Sequence, residues 1–386
     1  MIVRGHEDES TPGHQLKMIC IDDSISHLRD EDPKVCPYCG RRPTGVGTDV
    51  YSDDHVFMDA IGGKKTVRAC KRCNDHFGGT FEAQNLKDTI IRISILLAQA
   101  GVAIAKKGLK WKNAVSTPEG LLYNLVLTTD GVQIESAKPF VERDPGDPKI
   151  LHVTVNNDAE SRKLLKQFVN PKKFALQGQT PGKPARTQES SFNLDLNKMV
   201  GLTALKMAVA ASTLAFPDEV QSFSDARIDL TDGDESSRVK SVVFDHRIHS
   251  SLDASHDPLC HVIYLEEHEG TLHGVVQFFG SFQAYITLSN SVSRSYERGL
   301  LATLDPTTGQ ENFRVIPRLG IKKWRGNETA DQLSPIKKFN ACARQVGAKS
   351  DVLNVSSVTS EDGVERKAKW SIPGWSWTGD IPGRRK

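Results

Sequence analysis

The sequence predicts an α+β fold, in which a small N-terminal zinc domain is followed by a larger mixed domain of helices and strands. Three observations support this class. Four of the seven cysteines fall within 38 residues, the hydrophobic spacing changes from a helical to a strand period, and 386 residues suffice for about two domains. Hydrophobic residues make up 38% and charged residues 25%, which excludes disordered and collagen-like chains. The net charge of +2 is too small to indicate a nucleic-acid partner by itself.

The clustered cysteines form two Cys-x2-Cys pairs separated by thirty residues, namely Cys36, Cys39, Cys70 and Cys73. A two-residue spacer lets both thiolates of a tight turn point at one ion, and two such turns complete the tetrahedral all-sulfur shell of a structural zinc. The alternative is two disulfides, which require an oxidising compartment. The first residues, MIVRGHEDESTPGHQ, lack the apolar core of a secretory signal, which favours zinc. The isolated Cys20, Cys260 and Cys342 are expected to be buried or free thiols.

Composition divides the chain into three parts. Residues 1–32 hold eight acidic and three basic residues and are expected to be partly disordered. Residues 33–107 form the zinc domain with the helix that follows it. Residues 108–386 form an α+β domain of unknown role, interrupted by a Pro- and Gly-containing loop at 170–192.

The hydrophobic spacing predicts the larger elements. A helix is expected from Phe81 to about Lys107, since apolar residues recur every three or four positions. Further helices are expected at Asp158–Phe168 and Asp195–Ala215, and a hairpin turn at Glu269-Gly270. The strand predictions are Leu121–Leu127, Val132–Ile134, Ile150–Val155, Val239–Phe244, Leu259–Leu265, Leu272–Phe279 and Phe282–Leu288. No run of 18 uncharged apolar residues occurs, so no membrane segment is expected and the protein is predicted to be soluble and cytoplasmic.

A possible reaction centre lies between the cysteine pairs. Asp54 and His55 precede a Gly62-Gly63 turn, and Asn74 directly follows the last cysteine of the cluster. Carboxylate and amide oxygens suit a hard divalent ion, and a neutral histidine beside them can take a proton from water. Consecutive strand residues point to opposite faces unless a bulge brings them together, so this arrangement depends on the local geometry.

The combined string CPYCG…DDHVF…AIGGKK…ACKRCN…FGGTFE resembles the four-cysteine zinc branch of the HNH (ββα-metal) endonucleases, over roughly residues 34–85. The resemblance implies a treble-clef ββα-metal domain and a metal-dependent endonuclease that hydrolyses DNA phosphodiester bonds. It assigns the four cysteines to zinc, Asp54 and Asn74 to a catalytic Mg²⁺ or Mn²⁺, and His55 to the general base. Phe57 stands where many members have proline, and the Asn that often orients the base is missing. A backbone carbonyl or Thr66 is expected to take that place.

Each of these residues also has a simpler interpretation. Asp54 and His55 could be a solvated hairpin pair, and Asn74 could cap the helix that follows it. His76 either supplements the metal site or lies on the surface of that helix. A run of five cations is interpreted as a phosphate-binding surface rather than a solvated face: Lys64, Lys65, Arg68, Lys71 and Arg72.

The C-terminal part offers weaker signals. The segment Phe313–Lys349 has nine basic residues against two acidic ones, with Trp324 between two cations as a candidate base-stacking residue. Six histidines between positions 246 and 273 are expected to lie on solvated loops and strand faces rather than on a second metal. An N-terminal HNH module with a domain of about 280 residues resembles the layout of restriction enzymes and of antiphage effectors that sense a nucleotide. DNA is therefore the expected partner, with a homodimer and a small nucleotide ligand as further expectations. The alternative is a non-catalytic zinc module that binds nucleic acid or protein.

Overall fold

The structure is a computed structural model. It describes residues 34–47, 49–80, 87–116, 122–138, 140–143, 146, 151–154, 163, 201–232, 240–245, 249–322, 334–353, 356–359 and 365–368. The acidic segment 1–32, the loop 170–192 and Trp324 lie outside these residues, as does all of the helix expected at Asp158–Phe168 except residue 163.

The described chain contains both helices and strands. The helices are α1 (Lys71–Gly79), α2 (Lys87–Gln99), α3 (Leu202–Ala215), α4 (Ser224–Asp232), α5 (Ser250–Asp253) and α6 (Ser334–Gln345). The strands are β1 (Tyr51–His55), β2 (Thr66–Cys70), β3 (Leu109–Ser116), β4 (Leu122–Thr128), β5 (Gly131–Ser136), β6 (Phe140–Arg143), β7 (Leu151–Thr154), β8 (Val242–Asp245), β9 (His261–His268), β10 (Thr271–Phe278), β11 (Phe282–Ser289), β12 (Arg298–Leu304), β13 (Glu311–Pro317), β14 (Ser356–Thr359) and β15 (Glu365–Ala368).

The N-terminal unit is an antiparallel hairpin followed directly by a helix. β1 pairs with β2, and Cys70 ends β2 with extended dihedral angles, so that α1 begins at the next residue. A 3-10 turn at Asp59–Ile61 lies in the connection and ends at Gly62, whose φ of 98° is left-handed. This ββα unit carries the cysteine cluster and is followed by a larger sheet-rich domain, which confirms the predicted fold class.

A six-stranded antiparallel sheet dominates the second domain, with the strand order β13-β12-β9-β10-β11-β8. Its central strands are buried on both faces: Ile263 and Leu265 lie on one side, Val262 and Tyr264 on the other. Glu269 and Gly270 join β9 to β10 with φ of 51° and 79°, as a two-residue hairpin turn of the primed type requires. The predicted hairpin is therefore confirmed.

α3 fills the space between this sheet and the N-terminal hairpin. It packs against β9–β12 on one side and against β1 and β2 on the other. Eleven of its fourteen residues are buried, as expected for a helix that is apolar all round. α3 thus brings the second domain against the strand that carries the candidate base. Among the described residues, no helix has the length and apolar character needed to cross a bilayer.

Several sequence predictions of elements were wrong in their bounds. The helix expected to run to Lys107 ends at Gln99, because Gly101 adopts φ 99° and the chain then runs toward β3. The strand expected from Leu259 begins at His261, because Leu259 has φ 64° and cannot continue a strand. The helix expected from Asp195 is described only from Leu202, with Gly201 before it.

The sequence analysis missed six of the described strands: β3, β6, β12, β13, β14 and β15. β12 has the sequence RGLLATL, which is buried on both faces and therefore shows no alternation. β13 lies at the edge of its sheet and is only partly buried, so its apolar signal is weak. β3 carries a register shift between Trp111 and Val115, which interrupts the period of two.

Candidate functional site

The four clustered cysteines have the geometry of a zinc site. Their sulfur atoms all lie within 4.8 Å of one another, and the Sγ atoms of Cys39 and Cys70 are 3.8 Å apart. Zinc–sulfur bonds of about 2.3 Å in a tetrahedron separate sulfurs by about 3.8 Å. The set therefore fits Zn²⁺, and it is the cluster with metal-ligand spacing among the described residues.

The two cysteine pairs are held by turns and by the neighbouring helix. In the first turn the Gly40 N–H donates to the carbonyl of Cys36 at 2.9 Å, with Gly40 at φ 70°. The Cys70 N–H donates to the Cys36 sulfur at 3.4 Å, as amides around a metal-bound thiolate do. Arg227 of α4 donates from Nε to the carbonyl of Pro37 at 3.1 Å. The second domain thus supports the first zinc turn.

The close sulfurs also shift one another's protonation. A hydrogen bond with Cys39 raises the pKa of Cys36, and a hydrogen bond with Cys36 lowers the pKa of Cys70 to about 7. The same contact with Cys36 raises the pKa of Cys73 and lowers that of Cys39. A zinc ion binds thiolates and would replace the protons that these close sulfurs share.

The β1–β2 hairpin separates the candidate residues onto two faces. Its register runs without a bulge from Tyr51 opposite Cys70 to His55 opposite Thr66. Because strand side chains alternate, Asp53 and His55 lie on one face and Asp54 on the other. The exposure agrees: Asp53 is exposed and His55 half-buried, whereas Asp54 is 3% exposed. The structure therefore does not bring Asp54 and His55 onto one face.

His55 is oriented by a backbone carbonyl. Its Nδ1 lies 3.1 Å from the carbonyl oxygen of Gly63, on the other side of the connecting loop. A Cβ at Gly63 would lie 1.8 Å from the carbonyl oxygen of Phe57, so only glycine allows the loop to close this tightly. This contact supplies the backbone carbonyl that was expected in place of the missing asparagine.

Asp54 is engaged on both carboxylate oxygens. Tyr38 donates its hydroxyl to Oδ2 at 2.5 Å, and the Lys206 ammonium of α3 lies 2.6 Å from Oδ1. The Lys206 side chain is 1% exposed, so this is an ion pair in the protein interior. Lys206 interrupts an otherwise apolar helix, and that was a signal: a charged side chain in such a helix needs a buried partner.

Asn74 joins α1 to β1. Its amide nitrogen donates to the backbone carbonyl of Asp53 at 2.8 Å and lies 3.3 Å from Ser52 Oγ. Both contacts use the nitrogen of the amide and neither uses its oxygen. His76 is exposed on α1, and its ring lies against Phe77.

The five predicted phosphate-binding cations differ in exposure. Lys65 is 8% exposed, so its side chain belongs to the interior rather than to the surface. Arg68 pairs with Asp53 at 3.3 Å and Lys71 with Asp75 at 2.7 Å, both at the surface. The remaining two are exposed: Lys64 and Arg72.

A shallow groove extends this cationic surface. It has a volume of about 470 Å³ and lies between the first zinc turn and the hairpin. Three cations line it, Lys34, Arg42 and Arg68, and the Arg68 guanidinium lies 6.0 Å from the ring centre of Tyr51. The sequence analysis missed Lys34 and Arg42, which flank the first cysteine pair and lie outside the run of five cations. Tyr51 and Arg68 share the hairpin face that carries His55.

A carboxylate from the second domain reaches the His55 loop. Glu311, the first residue of β13, accepts the backbone N–H of Lys65 at 2.7 Å and that of Lys64 at 3.2 Å on Oε2. Burial raises the pKa of Glu311, while the backbone N–H groups of Lys65 and Lys64 lower it in part. No sequence signal could have linked residues about 250 positions apart.

Three cations of the basic C-terminal segment contact acidic side chains where the structure describes it. Arg318 lies 3.6 Å from Glu267, Lys338 pairs with Asp253 and Arg344 with Asp351. The histidine-rich stretch departs from the expectation of solvated positions: His261 and His273 are buried. Burial lowers the pKa of His261 to about 3.

Comparison with known proteins gives one result. A family model described as HNH endonuclease matches residues 36–89. No curated protein and no solved structure matches the chain. The match confirms the resemblance for this part of the chain: residues 36–89 match the HNH endonuclease family, and the geometry of the cysteine cluster is consistent with its zinc branch. Such a domain suggests nuclease activity and implies a nucleic-acid substrate.

Proposed function

We propose that this chain is an HNH endonuclease that hydrolyses DNA phosphodiester bonds, with His55 as the general base. The observation that carries the proposal is the contact of His55 Nδ1 with the Gly63 carbonyl. A carbonyl accepts only, so Nδ1 holds the proton and Nε2 keeps a free lone pair. An imidazole held in this tautomer can take a proton from a water molecule that attacks phosphorus.

DNA as the substrate is supported by charge. Lys34, Arg42 and Arg68 line the groove on the side of the hairpin that carries His55. Cations in a groove bind the phosphate backbone whatever the base sequence. Tyr51 and Arg68 of the groove share the hairpin face of His55, so we expect a strand that follows the groove to bring a phosphate beside the base.

A divalent metal ion is the expected cofactor of such a domain, where it neutralises charge on the phosphate when bound. The residues fit it only in part. Asn74 donates through its amide nitrogen, which leaves its amide oxygen to bind a metal ion. Both carboxylate oxygens of Asp54, in contrast, already contact Tyr38 and Lys206. Mg²⁺ or Mn²⁺ at Asp54 and Asn74 therefore stays a prediction, and we assign no step to it.

The steps that the chain's own residues support are few. The cationic groove binds and neutralises the phosphate backbone, and the Gly63 carbonyl holds the His55 ring in place. His55 Nε2 takes the water proton as the oxygen attacks phosphorus, the P–O bond on the far side breaks, and the displaced oxygen takes a proton from solvent water. These residues account for binding, orientation and proton removal.

The test is cleavage of supercoiled, linear, branched and modified DNA by the purified full chain, with Mg²⁺, Mn²⁺ or EDTA. His55→Ala should lower the cleavage rate by about 10²–10⁴-fold, which is the usual contribution of a positioned base, while zinc content and melting temperature stay unchanged. His268→Ala, an exposed histidine of the β9–β10 hairpin, is the matched control. Full activity of His55→Ala would contradict the assignment of the base.

A non-catalytic zinc module that binds nucleic acid is the second candidate. One observation favours it: Asp54 and His55 lie on opposite faces of a regular hairpin, with Asp54 already paired to Lys206. Under this alternative the wild-type chain would bind DNA without cutting it, and neither divalent ion would change the binding.

A further inference from the structure

The connection between His55 and the second domain passes through one peptide group. The Gly63 carbonyl accepts from His55 Nδ1 at 3.1 Å, and the N–H of the next residue, Lys64, donates to Glu311 Oε2 at 3.2 Å. The C=O and N–H of the Gly63–Lys64 bond belong to the same planar unit. The His55 imidazole and the Glu311 carboxylate therefore bind the C=O and the N–H of one peptide group.

The Glu311 carboxylate accepts two backbone N–H groups of this loop. Oε2 also accepts the N–H of Lys65 at 2.7 Å, the shorter of its two contacts. Its other oxygen, Oε1, is buried with no hydrogen-bond partner among the described residues. A carboxylate oxygen buried without a partner is costly, so its position calls for an explanation beyond packing.

Packing fixes the position of Glu311. Phe313, two residues further along β13 and on the same face, lies with its ring centre 6.3 Å from that of Phe57. Phe57 belongs to the His55 loop, and its carbonyl is the atom that Gly63 approaches so closely. The Lys64 ammonium adds a contact with the Gly309 carbonyl at 3.2 Å. The turn before β13 and the loop after β1 thus form one packed unit.

We propose that Glu311 is a positioning residue for His55 and acts through the Gly63–Lys64 peptide group. A carboxylate at the N–H end polarises the peptide and strengthens its carbonyl as an acceptor. It also prevents rotation of the peptide, which would turn the carbonyl away from the imidazole. Glu311 thereby fixes the ring and the Nδ1–H tautomer, and the second domain completes the base of the first.

The test compares E311A and E311Q in the full chain. E311A should lower kcat for DNA cleavage by about 10–100-fold, the usual effect of removing a residue that orients another, with KM little changed. E311Q retains an oxygen acceptor and should stay within about fivefold of wild type. Glu135→Ala, which removes an exposed carboxylate of β5 paired with Lys110, is the control and should leave kcat unchanged.

A second readout separates positioning from stability. In protein labelled with ¹⁵N-histidine, at a pH where the imidazole is neutral, the His55 signals of wild type and E311Q should show one dominant Nδ1–H tautomer. E311A should shift them toward a mixture of the two tautomers. If E311A does not fold, E311D, which withdraws the carboxylate by one methylene, should give the same shift.

The rate prediction rests on the proposed function, but the imidazole prediction does not. A wild-type chain that cleaves no DNA would contradict the proposed function and leave the tautomer measurement decisive for Glu311. Unchanged His55 signals and an unchanged kcat in E311A would overturn the role of Glu311.

Discussion

The ion pair between Lys206 of α3 and Asp54 of β1 lies in the protein interior. An ammonium that is 1% exposed lies 2.6 Å from a carboxylate that also accepts the Tyr38 hydroxyl. Each charge would be costly alone in the interior, and each is offset by the other. The pair therefore joins α3 to β1 with a constraint that an apolar contact would not provide.

Removal of one partner should be strongly destabilising. We expect Lys206→Met to lower the free energy of unfolding by about 3–5 kcal/mol, because Asp54 is left as a buried, uncompensated charge. The double variant Lys206→Met/Asp54→Asn should recover most of this free energy, as measured by urea unfolding. The control Lys110→Met breaks an exposed pair with Glu135 and should cost less than about 1 kcal/mol.

The same variant tests the predicted metal ligand. With the ammonium removed, Asp54 can bind Mg²⁺ if it is a metal ligand, and the melting temperature of Lys206→Met should rise with the Mg²⁺ concentration. The double variant should not respond. A flat response in both would show that Asp54 is structural in this chain.

At the scale of the element, α1 depends on the zinc cluster that precedes it. The helix begins at Lys71, directly after Cys70, and Cys73 lies in its first turn. Its N-terminus has no side-chain hydrogen-bond cap. A zinc ion held by the four cysteines would therefore fix the start of α1 and with it the position of Asn74.

Replacement of one zinc ligand should release the ion and loosen this element. We expect Cys73→Ser to lower bound zinc from one equivalent per chain to a small fraction, with a clear fall in melting temperature. Metal content by mass spectrometry and thermal unfolding are the measurements. Cys342→Ser, a cysteine of α6 outside the cluster, should keep both values. Retention of zinc by Cys73→Ser would contradict the four-sulfur site.

The elements also show what the sequence could predict. The zinc pairs, the ββα unit and the Glu269-Gly270 hairpin were predicted because each depends on residues close together in the chain. The strand β12 was missed, since full burial removes the alternation on which strand prediction depends. Glu311 and Lys206 could not be predicted as site residues, because only the tertiary packing brings them to the hairpin.

At the scale of the whole molecule, the position of the cationic groove predicts the path of a bound nucleic acid. The groove begins at the first zinc turn and ends at the hairpin face that carries His55. In the basic C-terminal segment, in contrast, three of the described cations pair with acids: Arg318, Lys338 and Arg344. We therefore expect the groove to bind most of the phosphates that the protein neutralises.

Salt dependence can distinguish the two surfaces. Arg42→Glu should weaken DNA binding and reduce the slope of log K against log salt by about 0.9 for each phosphate that the variant no longer neutralises. Lys337→Glu places the same charge change on an exposed residue of α6 and should leave the slope unchanged. Fluorescence anisotropy at salt concentrations from about 50 to about 200 mM measures both. An unchanged slope for Arg42→Glu with a reduced slope for Lys337→Glu would show instead that DNA binds at the C-terminal segment.

The hydrogen bonds from Lys206 and Glu311 have a consequence during translation. They join residues 152 and 246 positions apart. At about 5–20 residues per second, a ribosome needs on the order of 10–50 s to add the chain between Lys65 and Glu311. A nascent polypeptide can thus form both of its cysteine turns long before Glu311 is available to hold the loop that orients His55. Under the proposed function, the general base is oriented only after most of the chain has been synthesised.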